Sequence, residues 1–237
     1  MHSVQYVDLG LTRYASALEI QRKIFTRRVE DAVPDILLLN EHHHVYTLGR
    51  GGDDNHLLAG MDELRRDGID VCDTDRGGDI TYHGPGQIVG YPIMNLAAYY
   101  RDLHRYLRDL EEVLIRTCAD FGVRAHRDPG LTGVWVGQDK IAAIGVKVAH
   151  WVTMHGFAFN VSPDLTFYNR IIPCGIFHRG VTSLELAVGS KIQYGEVADR
   201  VVVNFGDVFS ASMVSRTPDG LRALLHQTED EVALNVE

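Results

Sequence analysis

Gly133-Val134-Trp135-Val136, Lys140-Ile141-Ala142-Ala143-Ile144-Gly145-Val146-Lys147-Val148-Ala149 and His155-Gly156-Phe157-Ala158-Phe159-Asn160-Val161 follow one another with short links and no helical segment between them. Runs rich in β-branched and aromatic residues placed this close read as neighbouring strands, paired antiparallel or in a mixed sheet. Outward from them, strand-like runs at 5–9, 36–40, 45–48, 69–73 and 88–94 alternate with helical patterns at 14–30, 97–121 and 194–209 and a short one at 61–67. In the longest, Leu103, Leu107, Leu110, Leu114 and Cys118 recur three or four apart; in the last, Val197, Val201, Phe205 and Val208 share one side. The expected fold class is therefore α+β, a mixed sheet flanked by helices. A single domain spans 1–215 with a small C-terminal lobe, and 216–237 is an acidic tail, loosely docked.

With 237 residues and 45% hydrophobic content, the chain can bury a full core in one domain. Its 23 basic and 32 acidic side chains argue against broad electrostatic binding to nucleic acid or anionic lipid. Lys23, Arg27 and Arg28, and separately Arg101, Arg105 and Arg108, recur at helical spacing, so each set forms a local basic stripe. Three cysteines cannot scaffold a chain of this length, which points to a reducing, cytoplasmic setting. No signal peptide or uninterrupted apolar span long enough for a membrane is present.

The run Arg76-Gly77-Gly78-Asp79-Ile80-Thr81-Tyr82-His83-Gly84-Pro85-Gly86-Gln87 puts four glycines, a proline and two basic side chains into one short segment. Glycine lets a ligand approach the backbone closely. The run lacks both the Walker lysine and the dinucleotide glycine spacing, so neither nucleotide motif is indicated. Glu41-His42-His43-His44 suggests a metal at first sight, but adjacent strand residues point to opposite faces and no completing ligand set appears. No metal is expected.

Cys174, between Pro173 and Gly175, is the best nucleophile candidate, whereas Cys118 lies on an apolar helical stripe and Cys72 within a strand. A cysteine nucleophile needs a base or cation to form its thiolate. His83, His155, His178, Lys140 and Lys147 all qualify by residue type, with Lys140 and His178 level.

Taken in order, the glycine-rich run, 140–146, 155–161, Ile172-Pro173-Cys174-Gly175 and Val181-Thr182-Ser183-Leu184 resemble the octanoyltransferase family over roughly residues 5–215. Each motif alone is weak; their order and spacing make the resemblance specific. It implies a fold shared with biotin and lipoate protein ligases and a catalytic Cys174–Lys140 dyad. It also implies an acyl pocket made by Arg76, Gly77, Gly78, Asp79, Ile80, Thr81, Tyr82, His83, Ala143, Ile144, Gly145, Gly156, Phe157 and Ala158, with the glycines leaving room for the chain. The family usually has two prolines where this chain has His43 and His44.

The activity implied by the resemblance is transfer of an octanoyl group from octanoyl-acyl carrier protein to a lysine of lipoyl domains. The acceptors it implies are the 2-oxoacid dehydrogenases and the glycine cleavage H protein. Cys174 would form an acyl-enzyme, Lys140 would move the protons, and backbone N–H groups near Cys174 and Gly175, or His83, would hold the oxyanion. Thioester exchange is near balanced, so neither ATP nor another cofactor is expected. Two rivals are an ATP-dependent lipoate or biotin ligase of the same fold and a noncatalytic acyl-binding protein.

Overall fold

The structure, a computed structural model, describes residues 2–172 and 179–234. Its strands are β1 (His2–Thr12), β2 (Asp35–His42), β3 (Val45–Leu48), β4 (Asp70–Asp73), β5 (Thr81–His83), β6 (Gln87–Ile93), β7 (His126–Asp128), β8 (Leu131–Val136), β9 (Asp139–Ala149), β10 (Val152–Asn160) and β11 (Ala211–Ser215). Its helices are α1 (Tyr14–Val29), α2 (Met61–Arg66), α3 (Leu103–Asp120), α4 (Leu184–Val188), α5 (Tyr194–Phe209) and α6 (Pro218–Leu234).

Eight strands form one mixed sheet in the order β11-β1-β2-β6-β10-β9-β8-β7, and β4-β3-β5 form a smaller one. The three runs that decide the fold class are β8, β9 and β10, paired antiparallel in succession. At the centre, β6 and β10 are buried at every position because helices cover both faces. Side chains alternate across a strand. Thus Leu37, Leu39, Phe157 and Phe159 enter the core with Leu110 and Leu114 of α3 and Val201 and Phe205 of α5. Ile36, Leu38 and Ala158 turn the other way, toward Ala17 and Ile24 of α1.

Local chemistry sets several boundaries. Asp102 accepts the Arg105 N–H and caps α3, which therefore starts at Leu103; the residues before it form a short turn, Leu96–Ala98, capped by Asn95. His150 and Trp151 have φ of 52° and 61°, the left-handed pair that a two-residue hairpin between β9 and β10 requires. Asn-Gly is the usual signal for such a turn, and His-Trp gives none.

The C-terminal lobe is tied into the main sheet, since β11 pairs in parallel with β1 while α5 packs on α3. Within the expected tail, Pro218–Leu234 form α6, whose first half docks through Leu221 and Leu225, buried with Val7 and Ile24. Two leucines four apart meet on one helix face. Among the described residues, no helix is long and apolar enough to cross a membrane.

Arg28 corrects the first basic stripe. It is buried, and its Nε donates to Asp35 Oδ1 at 2.7 Å, locking α1 to the start of β2. Asp35 also accepts the Asn95 N–H at 2.8 Å and the Tyr99 hydroxyl at 2.9 Å. Asp35→Ala leaves Arg28 paired with Asp31 but takes the acceptor from the Asn95 N–H and the Tyr99 hydroxyl, so it is expected to destabilise folding by about 1–3 kcal/mol, read as a lower urea midpoint. An unchanged midpoint would show the pair to be dispensable.

Candidate active site

The glycine-rich loop can lie on the sheet because two backbones approach where a side chain would not fit. The Gly77 N–H donates to the Val146 carbonyl at 2.9 Å. A Cβ on Gly145 would stand 2.7 Å from Gly77 O. The space left by Gly145 is therefore filled by the protein's own loop rather than by acyl chain, and Gly156 likewise lies against Gly90 and Pro92. Arg76, also buried, donates from Nη2 to the Thr47 carbonyl at 2.6 Å and to its hydroxyl at 2.9 Å, fastening the loop to β3.

Between this loop, β6, β9, β10 and α3 lies a cavity of about 400 Å³. Every expected pocket residue lines it except Tyr82. On β5, Thr81 and His83 face the cavity, and Tyr82 points the other way, its hydroxyl bonded to His44 Nδ1 at 2.8 Å and its ring stacked on Phe167. Sequence reading missed Tyr14, Tyr91, Leu103, Leu107 and Tyr168, which also form the wall. Leu103 and Leu107 carry the helical period of α3 but lie at its cavity end, whereas Tyr106, Leu110 and Val113 fill the core.

The candidate bases separate by their partners. His83 is buried; its Nδ1 lies 3.2 Å from Gln87 Oε1 and its Nε2 3.4 Å from the Thr47 hydroxyl. Gln87 Nε2 donates to Asn160 Oδ1 and the Tyr82 carbonyl, so its Oε1 must accept, and His83 carries its proton on Nδ1. Burial, reinforced by His42 and Arg76, holds the ring well below the ordinary histidine value. Its one N–H is committed to Gln87, so His83 does not supply the oxyanion donor considered above.

His155 and Lys147 share one carboxylate. Asp75 lies 2.7 Å from His155 Nε2 and 2.6 Å from Lys147 Nζ. Burial resists ionisation of Asp75, but these two hydrogen bonds hold its carboxyl well below the usual range. His155 has φ of 60° within β10, a left-handed conformation that a strand rarely contains. Its backbone N–H donates to Gln21 Oε1 at 3.2 Å. Asp75 immediately precedes Arg76, so this network anchors the base of the loop to the sheet.

Lys140 lies on the cavity wall, with Nζ 4.8 Å from the centre of the Trp135 ring. Its backbone N–H donates to the Gly180 carbonyl at 2.9 Å, and its carbonyl accepts the Thr182 N–H at 3.0 Å. At the other approach, Ile172 N–H donates to His56 O at 2.8 Å, and His56 Nδ1 lies 2.5 Å from Asp79 Oδ2. Cys174 and His178 lie outside the described residues, between these two anchored stretches of chain. Of the other thiols, burial pushes Cys118 up to about 12, and burial with Asp70 and Asp73 also raises Cys72.

The histidine run diverges as alternation requires. His42 turns inward, with Nε2 2.7 Å from the Tyr91 hydroxyl and burial lowering its pKa to about 4. His44 stacks on Phe167, and His43 is exposed. Among the described residues, no group of His, Cys, Asp and Glu has an arrangement that would hold a metal ion.

The chain matches the family model described as the lipoyl protein ligase A/B catalytic domain over residues 13–206. It is 51% identical over 207 residues to an octanoyltransferase of Caldicellulosiruptor bescii, covering 86% of this chain and 91% of that one. Identity to an octanoyltransferase of Rubrobacter xylanophilus is 52% over 201 residues, covering 84% and 90%. Among solved structures, the bi-partite lipoate protein ligase of Thermoplasma acidophilum superposes with a TM-score of 0.75 at 15% identity. That match covers 97% of this chain and 93% of the other and shows a shared fold.

Proposed function

The chain belongs to the octanoyltransferase family, acyltransferases of protein lipoylation, and on that premise we propose that it transfers octanoyl groups through an acyl-enzyme on Cys174 with Lys140 as base. The donor is octanoyl-acyl carrier protein and the acceptor a lysine of a lipoyl domain. One observation carries the assignment of the base: Lys140 is at the cavity wall and its backbone is bonded to Gly180 and Thr182, just beyond Cys174 in sequence. His83 is bonded to Gln87, and His155 and Lys147 share Asp75 at the base of the loop.

In the first step the Cys174 thiolate attacks the donor thioester carbonyl. A new C–S bond forms, the bond to the phosphopantetheine sulfur breaks, and that sulfur takes up the proton Lys140 removed from Cys174. In the second, the lipoyl-domain amine attacks the octanoyl-cysteine carbonyl. The amide forms, Lys140 accepts the amine proton, and the thiolate departs. The thioester itself supplies the activation, so the reaction consumes no nucleotide.

The test is intact mass after mixing the protein with octanoyl-acyl carrier protein. One octanoyl group on Cys174, discharged by added lipoyl domain, is expected. No covalent adduct would sink the reading, and pyrophosphate release from ATP and octanoic acid would favour the ligase instead.

Chain length tests the cavity. Ala143 faces Ala158 across the β9–β10 pair, and both line the wall. Ala143→Leu narrows this stretch; if two or three methylenes lose their burial at about 0.8 kcal/mol each, kcat/KM for octanoyl falls roughly 15- to 60-fold while butanoyl transfer is spared. Equal losses for both donors would place the chain elsewhere.

A further inference from the structure

Glu111 sits in the middle of α3, fully buried, and does not line the cavity. A buried carboxylate is retained at a cost unless its oxygens are satisfied. Here Oε2 accepts from Arg108 at 2.7 Å and from Arg127 Nε at 3.1 Å. Oε1 accepts the backbone N–H of Gly133 on β8 at 3.0 Å. The arginines compensate the charge, and the Gly133 bond gives the carboxylate a target that an apolar side chain could not serve.

Gly133 begins an irregularity that reaches Lys140. Val134 faces Ala142 while the next residue, Trp135, faces Lys140, so two steps along β9 answer one along β8 and Ile141 is the extra residue of a bulge. In a regular ladder Trp135 would face Ile141. The bulge instead brings Lys140 beside Trp135, with Nζ over the indole. Gly133 has φ of 131°, and a Cβ there would stand 2.7 Å from Ala142 O and 3.4 Å from Lys140 Cε. The lysine stem thus passes over the glycine whose amide Glu111 holds.

We infer that Glu111 is a positioning residue for Lys140, holding through the Gly133 amide the β8–β9 bulge that sets the lysine at the cavity wall. This inference rests on the role proposed for Lys140. It assigns the buried charge on α3 to the aim of a side chain that Glu111 does not itself touch through any bond described above.

One conservative variant, made with and without Lys140, distinguishes this role from charge compensation alone. Glu111→Asp keeps the charge but withdraws the acceptor by one methylene. Single-turnover octanoylation, corrected for folded fraction, is expected to fall about 10- to 100-fold in Glu111→Asp, the scale of a small misplacement, with donor KM unchanged. In a Lys140→Ala background, Glu111→Asp causes no further loss.

An equal Asp effect with and without Lys140 would overturn the inference. If the Asp variant does not fold, Glu111→Met, which has no acceptor for the amide, replaces it with the same expectations. Normal octanoylation by Lys140→Ala alone would instead overturn the proposed base, and this inference with it.

Discussion

Cys174→Ser is expected to leave no octanoyl-enzyme after mixing with octanoyl-acyl carrier protein and to lower transfer on the order of 10³-fold or more, as loss of a covalent nucleophile does elsewhere. A hydroxyl is far from ionised near neutral pH, so a base adequate for a thiol is not adequate for it. Donor binding is expected to persist. Mass spectrometry of the mixture reads the adduct directly, and single-turnover kinetics read the rate. The same substitutions at Cys118 and Cys72 provide the contrast: burial raises both thiols, and neither should carry octanoyl. Near-normal acylation of Cys174→Ser would remove the covalent mechanism altogether.

Lys140→Ala is expected to slow both half-reactions by about 10²- to 10⁴-fold, the usual range for loss of a general acid–base group. The links from Lys140 to Gly180 and Thr182 use its backbone, so they survive truncation of the side chain. A loss of rate then reports the amine rather than a displaced strand. Lys140→Arg should not restore activity, because a guanidinium stays protonated and cannot accept the thiol proton. Acylation and discharge are measured separately in single-turnover experiments. If Lys140→Ala acylates normally while His178→Ala does not, the base is the histidine, a choice residue type alone leaves open.

The basic stripes show how a periodic pattern can be right and its reading still change. The spacing of Lys23, Arg27 and Arg28 belongs to α1, yet Arg28 turns inward to Asp35. Its buried partner is seven residues away, across the turn into β2, and Arg28 also pairs with the exposed Asp31. In the second stripe, Arg108 is paired with buried Glu111, while Arg105 lies over Tyr100 with its guanidinium 4.1 Å from the ring centre. Helical period tells which residues share a face; it does not tell which carboxylate waits beneath that face.

Much of the architecture was legible because it repeats locally. The apolar runs of β2, β6 and β10 mark strands covered on both faces, and the periods of α1, α3 and α5 mark their buried sides. The elements that were missed are short or partner-dependent. β7 and β11 have three and five residues at the two edges of the sheet, and α6 was masked by its acidic composition although two leucines dock it.

The motifs in the sequence by themselves determined the family and the α+β class, because these follow from residue types in a fixed order along the chain, whereas Tyr14, Tyr91, Leu103, Leu107 and Tyr168 join the cavity wall only through the fold. Only the tertiary structure showed what His83, His155 and Lys147 are bonded to. Asp75 reaches Lys147 and His155 across 72 and 80 residues, Gln87 accepts a hydrogen bond from His83, and Glu111 reaches Gly133 from another element. Which cation a carboxylate occupies is a matter of distance and desolvation, and neither is a local property of the chain.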